Sequence, residues 1–327
     1  MAPIEIPMKN YMAENSSLKY LFFGGKGGVG KTVLAGTAGI FAATGQGKRT
    51  LLASTNPVHS LSSLLGQNVF GKQTPVTGVP NLWAYEIDTK DTIEKSKKEI
   101  QEKIEWFLKF ADIKTKADEF VESATMNPSF EESAMFENMI DLMFDNEYDA
   151  YVFDTAPTAN ARRLLGMSDV YSLRVNKMVQ SREEAVSLRE LLSYSKKKKE
   201  KDPLMDYLLN LRTRMANAKK LLTDAEKTAF FFVTLPEALP IAVIRRFINW
   251  FEEFGIPVGG VVVNMLIDES TVVAETPDFV KNRVAMQAGY MDEIWRVFPD
   301  VRAVLPLFDT EVQGVEMLKR TAKHLFA

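Results

Sequence analysis

Gly24-Gly25-Lys26-Gly27-Gly28-Val29-Gly30-Lys31-Thr32 decides the fold of this chain. It follows the apolar, β-rich run Lys19–Phe23 and opens Thr32–Thr44, a small-residue stretch that reads as a helix ended by Gly45. Its glycines let backbone N–H groups curl around phosphate oxygens, and the helix N-terminus adds partial positive charge. In a G-x-x-x-x-G-K-T loop between strand and helix, the lysine neutralises the β- and γ-phosphates and the threonine hydroxyl ligates Mg²⁺. Gly25, Lys26, Gly27, Gly28, Val29, Gly30, Lys31, Thr32 and Val33 are therefore the expected nucleotide contacts, and ATP with Mg²⁺ the expected cofactors. A carboxylate ending another apolar strand should complete the metal shell. Tyr151-Val152-Phe153-Asp154 supplies one, although Asp154 could also cap the turn that follows.

On either side of this loop, strand-like runs alternate with helical stretches, the pattern of a doubly wound, mainly parallel α/β sheet of P-loop NTPase type. The candidates are Lys19–Phe23, Thr50–Ser54, Leu82–Ile87, Ala150–Phe153, Phe230–Thr234, Gly260–Asn264 and Arg302–Leu305, nearly continuous apolar runs as expected for strands covered on both faces. Two segments, about 91–147 and 171–224, are helical only and predict an inserted helical subdomain within a nucleotide-binding domain over 18–327. Ile100, Ile104, Trp106, Phe107, Leu108 and Phe110 recur at helical spacing in the first, as do Met135, Phe136, Met139, Ile140, Leu142, Met143 and Phe144. The methionine-rich stripe reads either as core beneath the sheet or as an adaptable apolar groove. The charge run Lys196–Lys201 before Pro203 reads as an exposed loop.

Composition narrows the chemistry. The 327 residues are 46% hydrophobic and 25% charged with a net charge of −3, which argues against nucleic acid as a partner. Residues 1–17 carry Glu5, Glu14 and two prolines without an apolar stretch, so they read as a flexible tail and not a signal peptide. A cytoplasmic location follows, with peripheral attachment to a membrane as the alternative. There is no cysteine and only His59 and His324, which leaves no thiolate site and little from which to build a zinc site.

The pairing of Lys26 with Lys31 resembles the deviant Walker A group that includes the MinD- and ParA-like ATPases. More specifically, the loop, then Ser54-Thr55-Asn56-Pro57-Val58-His59-Ser60-Leu61-Ser62, then Asp154-Thr155-Ala156-Pro157-Thr158 resemble the arsenite-pump and tail-anchored-protein targeting ATPases. Leu235-Pro236-Glu237-Ala238, Val261-Val262-Val263-Asn264 and the run from Pro306 to Glu316 extend that resemblance to the C-terminus. It implies a homodimer in which Lys26 reaches the partner's nucleotide, adenine contacts from Asn264 and Pro306, and two switches at 54–63 and 154–162. The implied function is a nucleotide-switched ATPase that moves or targets a client.

The departures from that family pattern bear on chemistry. Asn56 stands where the family has an aspartate beside the Mg²⁺ shell, and Ser63 where the targeting branch has the aspartate that orients the attacking water. Ala159-Asn160-Ala161 replaces Gly-His-Thr, which restricts the backbone of the second switch. Asn56 and Ser63 are thus candidate catalytic positions, beside Lys26, Lys31 and Asp154, where hydrolysis should be slow or conditional. The targeting branch's zinc-binding cysteines fall on Pro277 and Val280, although Arg283 and Gln287 keep their offsets. No zinc is expected, and arsenic(III) cannot be bound here through thiolates. Three functions stay open: a motor for a hydrophobic or membrane-protein client, the energising subunit of an anion pump docked to a membrane partner, or an ATP-gated interaction module with little hydrolysis.

Overall fold

The structure is a computed structural model that describes residues 4–55, 60–110, 128–155, 176–177, 180, 184 and 203–327. Strands β1 (Tyr20–Gly24), β2 (Thr50–Ser54), β3 (Thr74–Pro75), β4 (Leu82–Glu86), β5 (Ala150–Asp154), β6 (Thr228–Thr234), β7 (Val258–Leu266) and β8 (Val301–Pro306) form one sheet. Its order is β3-β4-β2-β5-β1-β6-β7-β8, parallel except where β3 meets β4. The expected doubly wound sheet is the observed one. All seven expected runs match their strands to within two residues at either end, the run expected at Gly260–Asn264 extending by two residues on both sides as β7. Two-residue β3, containing Pro75, carries no periodic signal and went unread.

The strands are apolar throughout because both faces are covered. Leu21 and Phe23 join one buried cluster with Leu34, Ala35, Leu61 and Leu318. Tyr20 and Phe22 point to the other, where Phe22 stacks on Phe153 and Phe230 at centroid distances of 4.8 and 4.2 Å. Helices α2 (Lys31–Ile40), α3 (Ser60–Leu65) and α9 (Gly314–Leu325) cover the first face. The second carries α5 (Pro128–Asp145), α7 (Ala238–Glu253) and α8 (Asp278–Val297), with the end of α6 (Pro203–Leu222).

One segment differs from what the sequence alone led us to expect, and one reading left open by the sequence is decided. Residues 8–14, read as part of a flexible tail, form helix α1 (Met8–Glu14), with Met8 and Met12 buried. Tyr11 packs edge-on against Phe231 and accepts the Arg302 guanidinium over its ring. Three apolar anchors in a polar stretch are too sparse to announce a helix, yet they suffice once a sheet offers them a surface. In the methionine-rich stripe, Met135, Met139, Ile140, Leu142 and Met143 are all buried in the second cluster. Those side chains are core and not groove, because α5 leads straight into β5. Helix α4 (Thr89–Phe110) packs against α5. The side chains of Ile100, Ile104, Trp106, Phe107, Leu108, Phe110 and Phe136, like the run Lys196–Lys201, lie outside the described residues.

Candidate nucleotide site

β1 lies between β5 and β6, so the chain leaves the sheet in opposite directions on its two sides, and the crevice this creates opens at the strands' carboxyl ends. The glycine-rich loop sits there. Gly30 caps α2 with φ 93°, and a Cβ on it would lie 2.3 Å from Asn264 Nδ2. Gly25, at φ 147°, would place a Cβ 2.4 Å from the Val233 carbonyl oxygen. Both positions demand glycine twice, for backbone conformation and for space. Val29 is buried and pins the loop to the core, Gly27 and Gly28 are exposed, and Lys26 and Val33 are half-buried. The loop therefore presents its backbone outward over an anchored base.

Lys31 turns inward, its ammonium donating to the Lys26 carbonyl at 3.2 Å. Burial lowers its pKa, opposed by the nearby Asp154 carboxylate. Asp154 is 1% exposed, and its Oδ2 accepts hydroxyl hydrogens from Thr32 at 2.8 Å and Ser54 at 3.0 Å. Burial raises its pKa; the bonds from Thr32 and Ser54 and the charge of Lys31 oppose that shift, and Glu86 adds to it. Asp154 Oδ1 is buried with no hydrogen-bond partner among the described residues. A buried carboxylate oxygen left unmet beside a threonine hydroxyl and a lysine fits a hydrated divalent cation next to phosphate. The residues present therefore suit Mg²⁺ with a triphosphate.

On the other side of the loop, Asn264 is buried and donates from Nδ2 to the Val29 carbonyl at 3.0 Å. Met265, next along, holds φ 57°, unusual for a side chain of its size. Gln287 clamps this turn: its Oε1 accepts the Ile267 N–H at 3.0 Å and its amide faces the Met265 carbonyl at 3.4 Å. From the same helix Arg283 pairs with Glu237 after β6. Pro306 ends β8 beside Leu266, and the Leu307 N–H donates to the Leu266 carbonyl at 2.8 Å. Asn264 and Pro306 thus stand at the C-terminal ends of adjacent strands, with Asn264 against the loop.

Of the first switch, Ser54, Thr55 and α3 are described. Ser60 Oγ lies 3.5 Å from Thr32 Oγ1, which brings α3 to the metal side of the loop. Ser63 is exposed on α3, and its carbonyl accepts from Gln313 at 3.0 Å. Asn56, His59 and 159–161 lie outside the described residues, so only one of the two departures in the first switch is located here. One residue at a strand end, Glu86, was missed by sequence reasoning; Ser54 reads as the start of the first switch. Ser54 bonds Asp154, and fully buried Glu86 accepts the Leu61 N–H at 2.9 Å and the Ser62 hydroxyl at 2.6 Å. Glu86 had a readable signal: like Asp154, it is a carboxylate closing an apolar strand.

A glycine-rich loop from the central strand, its lysine, and an aspartate ending the adjacent strand define a P-loop NTPase. Residues 18–327 match the family described as anion-transporting ATPases, and the chain belongs to that family. It is 29% identical over 326 residues to ATPase ASNA1 homolog 1 of Paramecium tetraurelia, covering 97% of this chain and 94% of that protein. It is 30% identical over 311 residues to "Putative arsenical pump-driving ATPase 2" of Aquifex aeolicus, covering 94% and 99%. With ATPase GET3A of Arabidopsis thaliana the identity is 29% over 312 residues, 94% of this chain and 83% of that one. Family membership carries ATP binding and ATPase activity in general. Among the described residues, no helix is long and apolar enough to cross a membrane.

Proposed function

We propose that this chain is a Mg²⁺-dependent ATP switch that works as a homodimer and couples ATP binding and slow hydrolysis to the targeting or transport of a hydrophobic client. The observation that carries the nucleotide chemistry is the buried, unpartnered Oδ1 of Asp154, set beside Thr32 and Lys31 in front of the glycine cradle. In this reading Gly25, Gly27, Gly28, Val29, Gly30 and Val33 contribute backbone to the phosphate cradle. Lys31 leaves the Lys26 carbonyl to meet the β- and γ-phosphates, where its charge is better satisfied. Thr32 and Asp154 hold the cation, which when bound supplies Lewis-acid stabilisation of the transferring phosphoryl group. Asn264 and Pro306 receive the adenine, and Lys26 stabilises charge on the partner subunit's phosphates.

Slow turnover follows from the residues at the first switch. Ser63 on α3 has a hydroxyl where a carboxylate would orient water, and Asn56 carries no charge to support the metal's water shell. The client is the less constrained half of the reading. The names of relatives divide between arsenical pump and GET3 or ASNA1 proteins. This sequence offers no thiolate to an arsenic(III) ion, which favours the hydrophobic client over a soft anion. The test is ATP turnover with and without arsenite or an apolar helix, beside gel filtration with and without ATP. We expect a low basal rate, stimulation by the apolar helix and not by arsenite, and a shift to dimer with ATP. Rapid turnover by the isolated protein would contradict the slow-switch reading, and an unchanged elution volume the dimer.

A further inference from the structure

Glu86 closes β4 as Asp154 closes β5, and the register of β4, β2 and β5 sets Glu86, Ser54 and Asp154 in one row at the strand ends. Glu86 is fully buried. An ionised carboxylate in that position is costly unless its oxygens are bonded, so its partners show what it secures. Among the described residues, two of them belong to α3: the Leu61 N–H at 2.9 Å on Oε1 and the Ser62 hydroxyl at 2.6 Å on Oε2. Ser62 Oγ in turn accepts the Val69 N–H at 3.2 Å. A helix of six residues has little stability of its own, so what grips its first turn fixes its position.

The other end of this connection points away from the nucleotide. Ile87, immediately after Glu86, donates its N–H to the Ser54 carbonyl at 3.1 Å. Asp88 then accepts the Asp91 N–H at 3.0 Å and starts α4, which packs against α5. From Thr32 a short path leads through Ser60 on α3 and Glu86 to the first turn of α4. Breaking buried hydrogen bonds leaves polar groups unmet, so α3 and the end of β4 should move as one body.

We infer that Glu86 is a positioning residue that couples α3, beside the phosphate site, to α4, so that a change of nucleotide state shifts the helical subdomain. This rests on the ATP-switch reading above. α3 alone could report the nucleotide only locally; the carboxylate extends that report to the strand end from which α4 starts.

The test uses the full chain and hydrogen exchange of 60–65 and 89–110, with and without saturating ATP and Mg²⁺. In the native chain ATP should slow exchange in both segments. Glu86→Leu keeps the volume but removes both acceptors. It should retain the response in 60–65, lower the response in 89–110 from about fivefold to under about twofold, and leave the KM for ATP within about threefold. Glu86→Gln keeps one acceptor for Leu61 and should restore part of the response; Ser62→Ala should show the same loss more weakly. These two variants also carry the test if Glu86→Leu fails to fold. A native-sized response in 89–110 in all three variants would overturn the inference, as would a native chain that binds ATP without any response there. Absence of ATP binding by the native chain in calorimetry would overturn both the inference and the reading on which it rests.

Discussion

The two sides of the central crevice solve different recognition problems with different atoms. On the β5-β2-β4 side, Asp154 and Glu86 are buried carboxylates, with Ser54 between them and Lys31 opposite. On the β6-β7-β8 side, the inward groups are an asparagine, a glutamine and backbone carbonyls, with the ion pair of Arg283 and Glu237 only partly buried. Charge is concentrated on the side where we propose a cation and phosphate, and neutral hydrogen bonding on the side where we propose the base. The first side tolerates its buried carboxylates because α3 bonds Glu86, and because Asp154 keeps one oxygen for a cation. The second shapes a strained turn at Met265 and needs no counter-ion. A site that reads charge on one side and shape on the other should respond to mutation in two separable ways.

The sharpest way to break this division is Lys31→Ala. Loss of a charged donor to phosphate costs about 3 kcal/mol, roughly a hundredfold in ATP affinity. Calorimetry with Mg²⁺ present should show it; undiminished binding would remove the assigned role of the charged side. Next comes Asn264→Ala, which leaves the Val29 carbonyl without its buried donor and loosens the loop from the right-hand strands. An effect of about 1–2 kcal/mol, on the order of tenfold in KM for ATP with kcat little changed, is expected. A large fall in kcat instead would place Asn264 in the reaction and blur the two sides.

The smallest effect tests the sign of the buried charge. Burial raises the Asp154 pKa in the folded chain, so the folded state holds that proton more tightly than the unfolded one. Its contribution to stability is therefore full below the unfolded carboxylate pKa and is lost as pH rises through the folded one. In nucleotide- and metal-free protein, Asp154→Asn should raise Tm by a few degrees at neutral pH, about 1 kcal/mol at most, and little at acid pH. The same variant should lose the Mg²⁺-dependent part of ATP's stabilisation. A lower Tm in the apo variant at neutral pH would show that the bonds from Thr32 and Ser54 outweigh the burial of charge.

Much of this was legible because the physics involved is local. Strands covered on both faces must be continuous apolar runs, and Tyr151–Asp154 or Thr50–Ser54 satisfy that within five residues. The loop from Gly24 to Thr32 is equally local, since phosphate binding through backbone amides needs glycines in sequence. What escaped reading depends on partners far along the chain. α1 is held by Phe231 and Arg302, and Glu86 by α3. The role of Gln287 appears only where α8 meets the turn after β7. The methionine stripe was ambiguous for the same reason: helical periodicity tells that a face is apolar, but not what covers it.

The amino-acid order alone determined a sheet with helices on both faces, a glycine-rich loop after the central strand and an aspartate closing its neighbour, because each is written in a contiguous run whose spacing matches its geometry. The tertiary structure alone decided that Asp154 keeps one oxygen unmet, that Asn264 buttresses the loop it faces, and that Glu86 ties α3 to the root of α4. Burial and hydrogen-bond satisfaction are properties of a neighbourhood, and Asn264 and the Val29 carbonyl it bonds stand 235 positions apart in the chain.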